Sequence, residues 1–358
     1  MPRAEIDDKP FNEATLTKLE LFERYAREWL PVFLSEHSRF TEINICDFFC
    51  GSGTDSNGTA GSALRMLAVI REFDSLISAR QARVRVFCSD KLEAKICRLR
   101  EHISARQLGN VPAEIILKAV PFTERFEQLR SQLYRDEAAN LLIVDQYGVQ
   151  HFESTFDALI DCPTTDVLAF VSSSWFQRFH SLPEVKRYLV DRRPDAYHLA
   201  HRAVLEAYRK RLPADRKYYL GEFSLKSGSN IYGVVFGSGH PLGMAKFLRS
   251  AWKLDNVNGS ANYDVEREGI HGESNFLFDF AGKPKKVEVF EESLEAAICS
   301  GRIRDELQIL EVCFEHGVTP QHATPVLQKL KKTGDVCMTW RVPDARNHGY
   351  PRPLHSPS

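Results

Sequence analysis

Three carboxylates, Asp47, Asp90 and Asp145, each close a run of β-forming residues, and two glycines, Gly51 and Gly53, follow the first of them. These residue types at these places can hold a nucleoside and a reacting group. Glycine lets the chain turn sharply and lets a ligand approach the backbone. An acid at the tip of a second strand can accept hydrogen bonds from two ribose hydroxyls, which needs a carboxylate and little else. A carboxylate in an apolar strand is costly to bury unless something pairs with it, so Asp47 and Asp145 each call for a partner.

The elements that must position these residues can be read from the pattern. Ile43–Gly53 reads as a strand covered on both faces that runs into the glycine turn. An apolar helix follows from about Ser62, through Leu64, Leu67, Ile70 and Phe73. A second strand, 82–90, ends at Asp90. Strand, glycine turn, helix and strand form a nucleotide-binding unit. The gap from Gly53 to Asp90 exceeds the roughly 20 residues of a dinucleotide fingerprint, and Ser56 stands where its third glycine would be. A dehydrogenase fits poorly. S-adenosylmethionine (SAM) fits better, because it needs no pyrophosphate cradle. Further strands are expected at 114–120, 141–145 and 167–172, with helices at 14–34, 91–106 and 126–135. Phe122, in the loop after the third strand, can stack on an adenine or belong to the core. Residues 217–238 read as a hairpin around Lys-Ser-Gly-Ser-Asn.

The run Asp47-Phe48-Phe49-Cys50-Gly51-Ser52-Gly53 resembles the first motif of class I SAM-dependent methyltransferases. The wider pattern resembles the three-Cys-motif partner proteins of that class. Their opening helix is matched by Lys18, Tyr25 and Trp29, their Gly-Ser-Pro by Gly61-Ser62-Ala63, and their Asp-Pro-Phe-Gly by Asp145-Gln146-Tyr147-Gly148. The likeness covers roughly residues 15–255. It implies SAM bound by Asp47, Gly51, Gly53, Asp90 and Phe122, and a companion protein with a three-cysteine iron–sulfur motif. In nucleic-acid amino-methyltransferases an Asp/Asn-Pro-Pro-Tyr/Phe motif holds the acceptor amine and stacks on its base. By that likeness Asp145 and Tyr147 are the catalytic pair, with RNA or DNA as substrate. Two alternatives stay open: Asp145 only caps a turn, or the chain is a binding module that kept the fold and lost the chemistry.

The expected fold is α/β, a Rossmann-like class I methyltransferase sheet with a C-terminal antiparallel hairpin over residues 1–255. A linker and mixed segment, 256–300, follows. Residues 301–342 read as a small winged-helix-like domain: helix 303–316, a capped helix from Thr319-Pro320 to Lys332 closed by Gly334, and a strand at 336–340. Lys329, Lys331, Lys332 and Arg341 would lie near a phosphate backbone. The proline-rich stretch 343–358 is expected to be disordered. The net charge of −1 over 358 residues neither requires nor excludes a basic face. Eight scattered cysteines include no Cys-x-x-Cys, so no metal and no disulfide are assigned. No apolar run approaches the roughly 18 residues of a membrane span, and a charged N-terminus lacks a signal-peptide core, so a cytoplasmic protein is expected.

Overall fold

The computed structural model describes residues 9–146, 150–172, 200–265 and 284–354. The chain divides into two compact units, Met1–Gly239 and His240–Ser358.

The first unit is built on a seven-stranded sheet among the described residues, in the order β3-β2-β1-β4-β5-β7-β6. The strands are β1 (Glu42–Asp47), β2 (Arg83–Asp90), β3 (Glu114–Ala119), β4 (Ala138–Val144), β5 (Thr165–Ser172), β6 (Tyr219–Ser227) and β7 (Asn230–Ser238). Strands β3, β2, β1, β4 and β5 pair in parallel. β7 enters antiparallel between β5 and β6, so the hairpin read from the sequence is inserted into the sheet edge. Every residue of β1 and β4 is buried, as strands covered on both faces require.

One polar pair sits in this apolar centre. Asn44 lies opposite Asn140 in the β1–β4 register, and its Nδ2 donates to Asn140 Oδ1 at 2.9 Å. Asn140 donates in turn to Leu133 O and Thr165 Oγ1. Any other register would leave these amides unpaired in the core, so the pair fixes which residues end up side by side at the strand tips.

Helix α1 (Glu13–Phe33) starts at Asn12, whose side chain accepts from Thr15 N at 2.9 Å. Its buried stripe includes Lys18, Phe22, Tyr25, Trp29 and Phe33. Tyr25 Oη donates to Asp166 Oδ2 at 2.5 Å, and the Tyr25 ring packs edge-on against Phe236. These contacts anchor α1 to β5 and β7. The connections carry α2 (Ser62–Glu72), α3 (Asp74–Arg80), α4 (Glu93–Ala105), α5 (Phe122–Leu133), α6 (Gln150–Asp161) and α7 (Ala200–Arg211). The short α3 was not read from the sequence. α5 begins at Phe122, four residues earlier than expected, because Pro121 can precede a first helical turn without wasting a donor.

The second unit contains α8 (Pro241–Leu254), α9 (Lys285–Cys299), α10 (Glu306–Glu315) and α11 (Ala323–Thr333). Three expectations change here. The stretch read as a linker and mixed segment, 256–300, contains α9, which buries Val287, Phe290, Leu294, Ala297 and Ile298 at helical spacing. Residues 336–340 form no strand: Cys337 N bonds to Leu354 O, and among the described residues of this unit no strand supplies the wing of a winged helix. The segment from 343 to 354 is ordered. Glu306, 1% exposed, accepts from Arg352 Nε and Nη2 and from the backbone N–H groups of Arg352 and Asp344, while Leu354 is fully buried. Prolines removed the apolar pattern from this segment, but a buried carboxylate recruits it. The expected α11 does form, with Gly334 at a positive φ of 87° as its C-cap.

Candidate functional site

In an open parallel sheet, ligands bind outside the carboxyl ends of the strands where the strand order reverses. Here that point lies between β1, which continues to β2 and β3, and β4, which continues to β5. The β1–β4 register sets Asp47 opposite Ile143, and Phe48 N donates to Ile143 O at 3.1 Å. Asp145 is therefore two residues beyond the partner of Asp47. The β1–β2 register sets Asp47 opposite Cys88, and Cys50 N donates to Ser89 O at 3.1 Å. Asp90 follows in the same way. All three acids end on one edge of the sheet.

Asp47 is 1% exposed. Its Oδ2 accepts from Ser62 Oγ at 2.5 Å and its Oδ1 from Phe49 N at 3.2 Å. Burial pushes its carboxyl up to about 7; the Ser62 and Phe49 bonds oppose that, Asp145 adds to it, and Lys18 opposes it. Ser62 is the first residue of α2, so the helix start holds the acid that ends β1. The sequence offered Ser62 only through the family likeness. A short polar residue opening an apolar helix after a strand acid is the signal that would have found it.

The turn between them needs its glycines. Gly51 and Gly53 have φ of 60° and 92°. A Cβ on Gly53 would stand 2.8 Å from Leu99 Cδ1. Gly53 O accepts from Gly61 N at 2.8 Å, which closes a loop braced by Asp55, whose carboxylate takes the N–H groups of Phe11, Asn57 and Thr59.

Asp90 is half-buried. Its Oδ1 accepts from Leu92 N at 3.0 Å, and its Oδ2 makes no hydrogen bond among the described residues. It therefore has an oxygen available for a hydroxyl. Phe122 is 3% exposed and packed among rings: its centroid lies 5.6 Å from Phe49, 5.0 Å from Phe48, 6.1 Å from Phe126 and 5.5 Å from His151. Of the two readings left open, its surroundings are those of a core ring. The half-buried rings beside it are Phe49 and His151.

Asp145 meets a residue that sequence reasoning placed only as a helix match. Lys18 Nζ donates to Asp145 Oδ2 and lies 4.4 Å from the centroid of the Phe170 ring. The Lys18 side chain is 8% exposed and that of Asp145 is 21% exposed. Lys18, Tyr25 and Trp29 share the buried face of α1, and a lysine on an otherwise apolar stripe was the visible sign of a buried partner. Gln146 is buried, and its Oε1 accepts from His151 N at 2.9 Å, where the likeness has proline. Tyr147 and Gly148 lie outside the described residues.

The residues expected at a phosphate backbone fare unequally. Lys329 Nζ donates to Glu295 at 2.6 Å, and Lys331 Nζ to Met338 O at 2.8 Å. Lys332 and Arg341 are exposed.

No protein-family model and no curated protein matches the sequence. The resemblance to three-Cys-motif partners is thus carried by its motifs alone. Solved structures do resemble the chain. P. horikoshii TYW2 in complex with MeSAdo is 12% identical with a TM-score of 0.33, over 65% of each chain. A putative rRNA-methylase from Clostridium thermocellum is 11% identical with a TM-score of 0.32, over 56% of this chain and 91% of that one. The SAM-dependent methyltransferase from Agrobacterium tumefaciens is 11% identical with a TM-score of 0.31, over 59% of each. The chain spans 65% of the first and 59% of the last, less than two thirds of each. At such scores these likenesses carry no weight for function, and the fold rests on the strand order itself. Among the described residues no helix is long and apolar enough to cross a membrane, and no group of three or more His, Cys, Asp or Glu could hold a metal ion.

Proposed function

We propose that the chain is a SAM-dependent methyltransferase that acts on an amine, with RNA or DNA as the substrate class. The observation that carries this reading is the meeting of Asp47, the Gly51–Gly53 turn, Asp90 and Asp145 on one edge of the sheet at its reversal point. The residues fit the cofactor: the turn beside Asp47 carries no side chain at Gly51 or Gly53, and Asp90 Oδ2 is available to a ribose hydroxyl. SAM supplies an electrophilic methyl group. The chain supplies alignment, which methyl transfer mainly needs. Asp145 accepts a hydrogen bond from the acceptor amine and turns its lone pair toward the methyl carbon. No metal or protein nucleophile is called for.

Nucleic acid enters through the likeness of Asp145-Gln146-Tyr147 to the amino-methyltransferase motif, and a companion protein with a three-cysteine motif through the family likeness. With Lys329 and Lys331 engaged internally, Lys332 and Arg341 remain for phosphate contact. Charge reversal at both should weaken RNA or DNA binding and flatten its salt dependence, because fewer counterions are released. An unchanged slope would assign the second unit to protein contact.

The test of catalysis is tritiated methyl incorporation into total cellular RNA and DNA. Asp145→Ala should cut transfer about a hundredfold while sparing SAM binding, and Asp145→Asn should lose less, since the amide keeps one acceptor oxygen, for which Lys18 competes. Equal activity in Asp145→Ala would remove Asp145 from catalysis. A wild-type chain that binds SAM and labels nothing would be a binding module.

A further inference from the structure

The Lys18–Asp145 pair gives the proposed acceptor site a second member. Lys18 is buried on the face of α1 that packs on the sheet, and its ammonium has two neighbours that fix it: Asp145 Oδ2 and the Phe170 ring. Asp145 follows β4, and Phe170 belongs to β5. A helix and two strands therefore converge on one carboxylate. The bond uses Oδ2 only, and Oδ1 makes no hydrogen bond among the described residues. α1 is itself held in place seven residues further on, where Tyr25 donates to Asp166 at the start of β5. Its axial position is thus fixed independently of Asp145.

We infer that Lys18 is a positioning residue for methyl transfer: it clamps Asp145 Oδ2 so that Oδ1 faces the acceptor amine. This rests on the proposed reading of Asp145. A carboxylate on a strand tip has freedom about χ1 and χ2, and an acceptor lone pair must point along the line of methyl and sulfur. One oxygen tied to a stacked ammonium removes most of that freedom before substrate arrives. The pair also makes the site selective. An amine that arrives already charged would meet a carboxylate whose charge is shared with Lys18, whereas a neutral nucleobase amine needs only the second oxygen as acceptor. The step balances without Lys18 changing: the nitrogen–carbon bond forms, the carbon–sulfur pair goes to sulfur as the neutral thioether leaves, and the methylated nitrogen then gives its proton to solvent water.

The experiment measures tritiated methyl transfer into total cellular RNA and DNA, with calorimetric titration of SAM, for wild type, Lys18→Met and Lys18→Arg. Lys18→Met should lower the rate at saturating SAM about tenfold to a hundredfold with SAM affinity unchanged, the loss expected of misplacement. Lys18→Arg should recover most of that loss, since a guanidinium can still bond a carboxylate oxygen. In an Asp145→Asn background the further loss from Lys18→Met should shrink, because the two residues act as one unit. A Lys18→Met chain that transfers methyl at the wild-type rate overturns the inference and leaves the proposed function intact. A loss confined to SAM affinity also overturns it, and makes Lys18 a cofactor contact. A wild type that transfers no methyl overturns both. Should Lys18→Met fail to fold, the Arg variant decides alone: full loss of transfer with intact SAM binding contradicts a role that any cation at this place could fill.

Discussion

At the residue scale, the site is defined by what buried carboxylates were given as partners. Asp47 has a serine hydroxyl and a backbone N–H, Asp145 has Lys18, and Asp166 has Tyr25. Neutral partners offset burial less than a cation does. Burial accordingly raises Asp47 to about 7 and Asp166 to about 6. A carboxyl raised in the folded chain favours the protonated form. Its stabilising contribution is fully present below the ordinary value near 4 and is lost as pH rises through the folded value. For Asp47 that window runs from about 4 to about 7. Buried histidines such as His240, lowered to about 4 by burial, act in the opposite sense, so the comparison must isolate one group. The melting temperature of Asp47→Asn minus that of wild type should rise between pH 5.5 and pH 8.5, because the amide never has to ionise. A relief on the order of a few kcal/mol would move the melting point by about 2–4 °C per kcal/mol. A difference flat across that range would contradict the assignment.

At the element scale, sequence and structure agree where a single periodicity governs. The buried runs at β1 and β4, the hairpin β6–β7 and the apolar face of α1 were all legible, because burial on one or both faces writes a pattern into neighbouring residues. What was not legible is register. Nothing local says that Asn44 faces Asn140, yet this pairing sets Asp47 opposite Ile143 and brings Asp145 alongside. Phe122 was ambiguous for the same reason: its neighbours Phe48, Phe49 and His151 come from other parts of the chain. The Asn44–Asn140 pairing has a measurable consequence. Asn140 makes bonds to Asn44, Leu133 and Thr165, whereas Asn44 Oδ1 is buried with no partner. Asn140→Val should therefore cost about 1–3 kcal/mol in denaturant unfolding and exceed the cost of Asn44→Val. The reverse order would show that the pair does not hold the register.

At the scale of the whole molecule, the chain divides at Gly239–His240. The sequence reading placed the boundary near 255, where the family likeness ends, and α8 lies on the near side of that point but in the second unit. The second unit was misread for a clearer reason. Its final segment has few apolar residues and many prolines, and its order comes from one buried acid. Burial alone would raise the Glu306 carboxyl, and the bonds from Arg352 and the backbone hold it below its usual range instead. Arg352→Ala should destabilise this unit. Breaking a buried pair costs about 3–5 kcal/mol, and a side chain 38% exposed brings the expectation to the lower end or beneath it. Unchanged stability would return the segment to the role of a loose tail.

The central claim is that the sheet edge at Asp47, Gly51–Gly53 and Asp90 binds SAM. Calorimetric titration of the intact chain with SAM, repeated on Asp90→Ala, tests it most directly. The account predicts saturable binding at one site in the wild type. It predicts a loss of at least about tenfold in Asp90→Ala, since each charge-assisted hydrogen bond to a ribose hydroxyl is worth about 1.5–3 kcal/mol. An intact chain that releases no heat and shows no affinity for SAM, or an Asp90→Ala variant that binds it as tightly as wild type, would contradict the account.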